Sequence, residues 1–468
     1  SFLPLLLIMK IQDIKESGTL HIHDKSTTPR DILEKIAASR DGDDAFFVVD
    51  ISDVIQKHKQ WKKLLPNVAP FYAVKCNDTN VILEVLATLG TGFDCASKGE
   101  IEKVLDLGVH PDRIIYANPC KTKSHIKFAA SVGVKKMTFD NEAELHKVKA
   151  NHPNAELVLR IRADALECQC PMMGIKFGAE PDKGRDLLIK AKELGLNIIG
   201  ISFHVGSGCS DLTAFPRAIL QAKQLFEFSS TLGFKFQLLD LGGGYPGTNN
   251  SSVCFPEIAK TISIALKLNF PLGCGVKVIA EPGRYYVASS MTLATNIIAK
   301  REVDMGQGRS LMYYINDGIY GSFNCLVYDQ AEVNPKPLMP DGKRKLVNCS
   351  IWGPTCDSAD KVLPSATLPE LEVGEWLVFD NMGAYTCVAG SNFNGFSSPD
   401  LYFVVNVSSW FGLMKKVDRY CKTYALAGRS PCKILPPHGE ELDDVCLTAT
   451  LETLSRLFQE NVLISTTA

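Results

Sequence analysis

The chain has 468 residues, of which 46% are hydrophobic and 22% are charged, and its formal net charge at pH 7 is -2. This length and composition are typical of a globular protein with two domains, or with one large and one small domain. The near-neutral charge disfavours a nucleic-acid-binding protein and a polybasic membrane protein, so we expect neither nucleic acid nor membrane as a partner.

The 15 cysteines are an odd number and are scattered, with only Cys168 and Cys170 close together. No His or Cys pair completes a zinc pattern, so we expect no metal site. We interpret the cysteines as reduced thiols of a cytoplasmic protein. The apolar start SFLPLLLIMK lacks the basic flank and cleavage site of a signal peptide, and it is too short for a spanning helix.

Eight short β-branched or aromatic runs follow one another, each ahead of a polar segment of helical character. They are FYAVK (71–75), GFDCA (92–96), RIIYA (113–117), KKMTF (135–139), ELVLRIR (156–162), IIGISFHV (198–205), FQLLDLGG (236–243) and KVIAEPG (277–283). Strands that alternate with helices predict an α/β fold with a parallel sheet. Eight units fit a (β/α)8 barrel, which we assign to residues 52–290. A doubly wound open sheet is the alternative, although no GxGxxG opens the first crossover.

After about residue 290 the pattern changes to strand-like runs separated by Gly, Pro and Asp turns. These runs are TLATNIIAKREV, SLMYYIND, KLVNCSIWG, EWLVFDN and LYFVVNV. They predict a mostly antiparallel β domain, to which we assign residues 1–51 and 291–468. The run AFFVVD (45–50) either joins or borders the barrel. Helical spacing appears in the tail at Leu447, Leu451, Leu454 and Phe458.

In a (β/α)8 barrel the carboxyl ends of the strands face the active site. The residues at these ends include Lys75, Asp94, Asn118, Arg160, His204, Asp240, Gly242, Gly243, Gly244, Glu281 and Arg284. Each has an ordinary structural explanation when taken alone, such as a solvated lysine, a hydrogen-bonded histidine or a glycine turn. Their occurrence together at successive strand ends favours a single binding site.

This set of groups suits pyridoxal 5'-phosphate (PLP). Lys75 offers an amine that can bind the cofactor's aldehyde covalently. The glycines at 242–244 allow backbone N–H groups to approach a phosphate, and Arg284 adds a fixed cation. Glu281 can keep the pyridine nitrogen protonated, which makes the ring a strong electron sink. His204 offers a flat ring for stacking.

Ten strings between about residues 45 and 406 resemble the eukaryotic ornithine decarboxylase family, a PLP-dependent family of the alanine-racemase-like fold group. In chain order they are PFYAVKCN, GTGFDCASK, RIIYANPCK, KFGA, FHVGSGC, LDLGGGYPG, AEPGRYYVAS, NDGIYGSFNC, SIWGPTCD and NMGAYT. The resemblance implies a PLP-binding barrel, a β domain and a head-to-tail homodimer with shared active sites. The tail beyond about residue 408 departs from the family's usual, degradation-promoting C-terminus.

The resemblance also implies roles for individual residues. Lys75 is the cofactor-binding lysine, Asp94 is the carboxylate near it, and Cys356 governs protonation of the decarboxylated carbon. The cofactor-binding set is Lys75, His204, Ser207, Gly242, Gly243, Gly244, Glu281, Arg284 and Tyr385. The substrate-binding set, whose two carboxylates hold a distal ammonium group, is Asp329, Asp357 and Tyr328. In the family, Cys356 and Asp357 reach the site from the other subunit. A further contact across the dimer is implied for Lys176 and Asp360.

The activity implied by the resemblance is decarboxylation of an amino acid, with conversion of ornithine to putrescine in polyamine biosynthesis as the first hypothesis. A paralogue that acts on another amino acid, such as leucine or lysine, is an alternative. The loop RADALECQCPMMG (162–174) favours this alternative because it departs from the ornithine enzyme, although a surface loop also explains it.

A non-catalytic antizyme-inhibitor-like regulator is the second alternative. Such proteins typically alter cofactor or catalytic positions, whereas Lys75, Asp94, Arg284 and Cys356 are all present here. The basic segment 117–149 resembles the family's antizyme-binding region, and a solvated helix face is its structural explanation.

Overall fold

The computed structural model describes residues 20–24, 27–40, 42–163, 165–166, 168, 173–248, 252–304, 309–339 and 342–426. The strands are β1 (Leu20–His23), β2 (Phe46–Asp50), β3 (Val68–Ala73), β4 (Gly92–Cys95), β5 (Ile114–Tyr116), β6 (Lys136–Phe139), β7 (Glu156–Arg160), β8 (Asn197–Ser202), β9 (Leu238–Asp240), β10 (Lys277–Ala280), β11 (Met291–Asp304), β12 (Arg309–Ile315), β13 (Pro335–Pro337), β14 (Leu346–Trp352), β15 (Lys361–Pro369), β16 (Trp376–Phe379) and β17 (Asp400–Asn406). The helices are α1 (Pro29–Ser39), α2 (Ile51–Leu64), α3 (Asn80–Leu89), α4 (Lys98–Asp106), α5 (Lys123–Ser131), α6 (Glu142–Asn151), α7 (Met173–Lys176), α8 (Pro181–Glu193), α9 (Ala214–Thr231), α10 (Phe255–Asn269), α11 (Arg284–Val287), α12 (Cys325–Tyr328) and α13 (Val407–Leu426).

Strands β3 to β10 form a closed parallel barrel, because β10 pairs with β3 as well as with β9. The predicted (β/α)8 architecture is therefore confirmed, and the open-sheet alternative is wrong. The barrel interior holds its own apolar cluster, drawn from β3, β5, β7, β9 and β10. Its buried members are Phe71, Ile115, Val158, Leu238 and Ile279. This cluster fills the barrel and leaves the carboxyl ends of the strands to form the site.

The helices around the barrel bury the apolar face that their sequence periodicity predicts. In α9, for example, Phe215, Ile219, Ala222 and Phe226 recur at intervals of three and four residues and are all buried. Trp61 of α2 is fully buried and packs against several aromatic rings of the barrel. The core is therefore continuous around the barrel's outer wall.

The second body is a nine-stranded sheet in the order β1-β17-β2-β11-β12-β14-β15, to which β13 and β16 are attached. Antiparallel pairs outnumber the three parallel pairs, β1 with β17, β17 with β2, and β12 with β14. The predicted mostly antiparallel sheet is confirmed. The run AFFVVD supplies β2, which pairs with β11 and β17 of this sheet and not with the barrel.

The chain ends contribute two helices that the strand pattern of the second half did not predict. Helix α1 places Ile32, Leu33 and Ile36 against the sheet, and α13 follows β17 directly. The tail positions with helical spacing, from Leu447 to Phe458, lie outside the described residues. Within the described ranges, no helix is both long and apolar enough to cross a membrane.

Candidate active site

Lys75 lies just past β3, in a single 3-10 turn that covers Val74–Cys76, and not on the strand itself. Its Nζ forms an ion pair with the fully buried carboxylate of Asp94 on β4. Protein surrounds the lysine, yet 35% of its side chain remains accessible from the barrel mouth. Burial alone would lower the pKa of Lys75, but the carboxylates of Asp94 and Glu281 outweigh it and raise that pKa above its ordinary value.

A second pair of carboxyl groups lies at the ends of the adjacent strands β9 and β10. Asp240 and Glu281 are both buried and lie close enough for the charge of Asp240 to act on Glu281. Burial raises the pKa of both groups, and the repulsion from Asp240 raises that of Glu281 further. Glu281 therefore keeps its proton at a higher pH than an isolated carboxyl group would.

Each of the three buried carboxyl groups has an oxygen without a hydrogen-bond partner among the described residues. These oxygens are Asp94 Oδ1, Asp240 Oδ2 and Glu281 Oε1. An unsatisfied buried acceptor is costly, so this corner of the barrel is suited to a ligand that brings a donor or a positive charge. A protonated pyridine nitrogen is such a donor.

Ser207 and Arg284 form an anion-binding corner on the neighbouring side of the barrel mouth. The Arg284 guanidinium donates to Ser207 Oγ from Nε at 3.2 Å and from Nη2 at 3.0 Å. It also lies 5.2 Å from the ring centre of Tyr385. A hydroxyl, a phenol and a fixed guanidinium in one place are the groups that bind a phosphate.

The glycine run 242–244 forms a close turn beneath this corner. Gly242 has φ +59°, and a Cβ atom there would collide with the Phe203 carbonyl oxygen. Its N–H donates to Asp240 Oδ1 at 2.9 Å, and its carbonyl accepts from the Glu281 N–H at 2.7 Å. Because Gly242 has no side chain, the turn can come close enough to form these hydrogen bonds with both Asp240 and Glu281.

His204 follows β8 and lies beside the glycine turn. Burial lowers the pKa of its imidazole well below the ordinary value, and the charges of Arg160 and Lys75 lower it further. Its Nδ1 accepts a hydrogen bond from the Gly206 N–H at 3.0 Å, so the neutral ring carries its proton on Nε2. A neutral, fixed ring at this place is suited to stacking on a flat cofactor.

Asp329 lies against Arg284 in the described structure, an arrangement that the sequence does not predict. Arg284 Nη2 contacts both carboxylate oxygens of Asp329, at 2.6 and 2.7 Å. Asp329 is buried, whereas its neighbour Tyr328 is 74% exposed. Asp329 thus belongs to the same corner as the phosphate-binding groups, and its predicted role in substrate binding stays a prediction.

Cys356 and Asp357 lie on an exposed loop between β14 and β15 of the sheet. The Asp357 carboxylate accepts hydrogen bonds from the Tyr320 hydroxyl and from the Ala359 N–H, and these bonds lower its pKa. The Cys356 N–H donates to Asn394 Oδ1 at 2.9 Å. These contacts attach the loop to the sheet domain.

The ring of Tyr320 packs on that of Phe393, with centres 4.5 Å apart. Sequence reasoning missed both residues as neighbours of Cys356 and Asp357, although Tyr320 lies within the motif NDGIYGSFNC. Asp360, predicted to contact Lys176 across a dimer, is buried and accepts from the Ile319 N–H and the Thr355 hydroxyl. Asp360 therefore shapes the loop that carries Cys356, and the dimer contact stays a prediction.

Comparison with known proteins agrees with this geometry. Residues 51–288 match the family model described as pyridoxal-dependent decarboxylase, pyridoxal binding domain. Ornithine decarboxylase of Rattus norvegicus is 51% identical over 422 residues, which cover 87% of this chain and 91% of the rat protein. Antizyme inhibitor 2 of Xenopus laevis is 49% identical over 414 residues, with coverage of 86% and 90%. The arginine decarboxylase of Paramecium bursaria Chlorella virus, solved with agmatine, has a TM-score of 0.76 and 37% identity, and the match covers 80% of this chain and all of that one.

The family model covers over half of the chain, and the relatives are similar along most of it. The cofactor is PLP, and the residues present fit it: an amine at Lys75, unsatisfied carboxyl oxygens for a protonated pyridine nitrogen, and a phosphate corner at Arg284. The chain belongs to the eukaryotic ornithine decarboxylase family of PLP-dependent decarboxylases.

Proposed function

We propose that this protein decarboxylates ornithine to putrescine. The observation that carries the proposal is Lys75, a partly accessible amine held between the carboxylates of Asp94 and Glu281 at the barrel mouth. A protein that had lost catalysis would have no need of a lysine at this point. Two observations support ornithine as the substrate: the rat relative is named ornithine decarboxylase, and the Asp357 carboxylate is anionic.

When bound, PLP supplies a sink for the electron pair that remains after carbon dioxide leaves. Lys75 would hold the cofactor through its amine, which is the group that the substrate amine would replace. Glu281 would hold a proton at the pyridine nitrogen, and Asp240 would hold Glu281 in place. The Cys356 thiol governs proton delivery to the decarboxylated carbon, and Asp357 binds the distal ammonium group of the substrate.

Asp357 favours a substrate with a positive end. Its carboxylate is half-buried and ionised, and Tyr320 fixes its orientation. A charge-assisted hydrogen bond contributes about 1.5–3 kcal/mol, which leucine cannot gain. Lysine is the second candidate substrate because it carries the same charge on a longer chain.

The site described in one chain is incomplete, because Cys356 and Asp357 contact Tyr320 and Asn394 of the sheet domain. We infer that a second copy of the chain brings these two residues to Lys75, so that the active form is a homodimer with shared sites. A cytoplasmic location is part of the same proposal, since the buried cysteines Cys76, Cys95, Cys209, Cys325 and Cys349 are free thiols.

Antizyme is a further proposed partner, because a relative of 49% identity is named antizyme inhibitor 2. The segment 117–149 contains α5, β6 and α6, and the two helices are in contact with each other. Its buried Lys121 pairs with Glu144 at 2.8 Å and anchors the segment, while several other lysines point to solvent. If this surface binds antizyme, charge reversal at Lys127 should abolish antizyme capture. Charge reversal at Lys62 of α2 should leave the capture unchanged.

Turnover by the purified chain tests the proposed activity. The wild-type protein with PLP is expected to release carbon dioxide from carboxyl-labelled ornithine, and borohydride reduction is expected to attach the cofactor to Lys75. The variant Lys75→Ala should lose both, whereas Lys103→Ala, which breaks an outer ion pair with Asp78, should keep both. A wild-type protein that binds PLP without any turnover would contradict the proposal.

A further inference from the structure

Arg160 is a charged strand-end residue to which the mechanism above gives no role. It is the last residue of β7 and follows Val158, a member of the barrel's interior cluster, by two positions. Because side chains alternate along a strand, Arg160 also points into the barrel. Its guanidinium lies 5.2 Å from the ring centre of Phe177 and forms no ion pair with a carboxylate among the described residues.

The strand register places Arg160 at the same level of the barrel as Asp240. Arg160 is paired with Ser202 of β8, and Ser202 is paired with Asp240 of β9. Asp240 follows the interior residue Leu238 by two positions, so the side chains at this level point inward. Adjacent strands are about 4.8 Å apart, and the three residues therefore lie side by side across roughly 10 Å of the inner wall.

Two of these side chains carry a buried polar atom that has no hydrogen-bond partner among the described residues. The atoms are Ser202 Oγ and Asp240 Oδ2, and the two residues are 3% and 0% exposed. A buried carboxylate oxygen without a donor is costly, and a hydroxyl on the adjacent strand can donate to it directly or through one water. Ser202 therefore offers Asp240 the donor that its second oxygen lacks.

The charges in this layer act in a consistent direction. Burial and the charge of Asp94 raise the pKa of Asp240, whereas the charge of Arg160 lowers it. The charge of Asp240 in turn raises the pKa of Glu281. Arg160 thus favours an ionised Asp240, and an ionised Asp240 favours a protonated Glu281. The titratable and charged side chains that the surrounding strand ends contribute to this corner are Lys75, Asp94, Arg160, His204, Tyr245 and Glu281.

We propose that Arg160 and Ser202 are positioning residues that keep the Asp240 carboxylate ionised and fixed, so that the proton of this corner stays on Glu281. Arg160 contributes the charge, and Ser202 contributes the hydrogen bond. The inference rests on the role proposed above for Glu281 at the pyridine nitrogen, and it adds two residues that support Glu281 through Asp240.

Isotope-edited infrared spectroscopy of the full chain with bound PLP tests the proposal. Labelling of the aspartate carboxyl carbons separates protonated aspartate from protonated glutamate, and comparison of each protein with its Asp240→Asn counterpart isolates the Asp240 signal. In the wild type this signal should reach half its height at about pH 6. In Arg160→Met the midpoint should rise by at least about one pH unit, because the cation that favours the ionised form is lost. Ser202→Ala should raise the midpoint in the same direction.

Arg185 of α8 supplies a matched control, because its guanidinium also lies over a phenylalanine ring, 5.6 Å from the centre of Phe228, but outside the barrel. Arg185→Met should leave the midpoint unchanged, and Arg160→Lys, which keeps the charge, should stay close to the wild type. An unchanged midpoint in Arg160→Met, or an equal rise in Arg185→Met, would overturn the proposal. If Arg160→Met does not fold, an unchanged midpoint in Ser202→Ala would do so. The spectra require no turnover of ornithine, so this failure is distinct from a failure of the proposed activity.

Discussion

The Gly242 backbone joins Asp240 and Glu281 at the ends of two adjacent barrel strands, because its N–H donates to Asp240 Oδ1 and its carbonyl accepts from the Glu281 N–H. Two carboxyl groups in one buried site cannot both ionise without strong repulsion. The pair therefore keeps a proton at a higher pH than an isolated carboxyl group would, and we expect Asp240 to act as a positioning residue for Glu281.

The raised pKa of Asp240 predicts a pH dependence of the apoprotein's stability. Burial raises the pKa of Asp240 to about 6, whereas the unfolded chain has an ordinary value near 4. The folded state thus binds more protons between these values. The stabilisation is complete below about pH 4 and is lost as the pH rises to about 6, by roughly 3 kcal/mol. Urea unfolding of Asp240→Asn apoprotein should show a shallower fall over this window. An identical pH profile in both proteins would contradict the raised pKa of Asp240.

Removal of the Asp357 carboxylate should weaken binding of a diamino acid. We expect Asp357→Ala to raise the KM for ornithine roughly 10- to 100-fold, because one charge-assisted hydrogen bond is lost. Steady-state kinetics measure this, with Asp380→Ala as control, since Asp380 pairs with Lys336 elsewhere on the sheet. Unchanged kinetics in Asp357→Ala would remove the basis for a charged substrate.

Shared active sites predict complementation between two inactive variants. Lys75→Ala and Cys356→Ala chains each lack one part of the site, but a mixed dimer has one site with neither substitution. Equal mixing and random exchange should therefore restore about one quarter of the wild-type activity. Each variant refolded alone provides the baseline, and a mixture that stays at this baseline would argue against sites built from two chains.

Substitution of Gly242 should disturb both the fold and the carboxyl pair. Gly242→Ala combines a positive φ with a collision against the Phe203 carbonyl, whereas Gly90→Ala also has a positive φ but meets no atom within 4 Å. We expect Gly90→Ala to cost about 1–2 kcal/mol of unfolding free energy, and Gly242→Ala to cost several kcal/mol more. Equal losses of unfolding free energy in Gly90→Ala and Gly242→Ala, measured by urea titration, would show that the Gly242 turn is not tightly enclosed.

Much of the fold was predictable because its strands and helices follow from the local periodicity of hydrophobic residues. The strand runs alternate with helix-like segments, and the carboxyl ends of parallel strands meet at one face, so Lys75, Asp94 and Glu281 could be grouped from the sequence. The position of Lys75 in a turn beyond β3 was not predictable, since the same residues suit either a strand or a turn.

The contacts that the sequence did not predict join segments far apart in the chain. Arg284 and Asp329 belong to different bodies of the structure, and neither residue's neighbours indicate the other. The same holds for Tyr320 and Asp357. Such pairs depend on how the loops pack, which local propensity does not determine.

We expect a PLP site with an anionic substrate end to act on ornithine. Carbon dioxide release from a panel of carboxyl-labelled ornithine, lysine, arginine and leucine, at equal concentrations and with saturating PLP, tests it most directly. We predict the fastest release from ornithine, slower release from lysine and none from leucine. Release from leucine but not from ornithine would contradict the account.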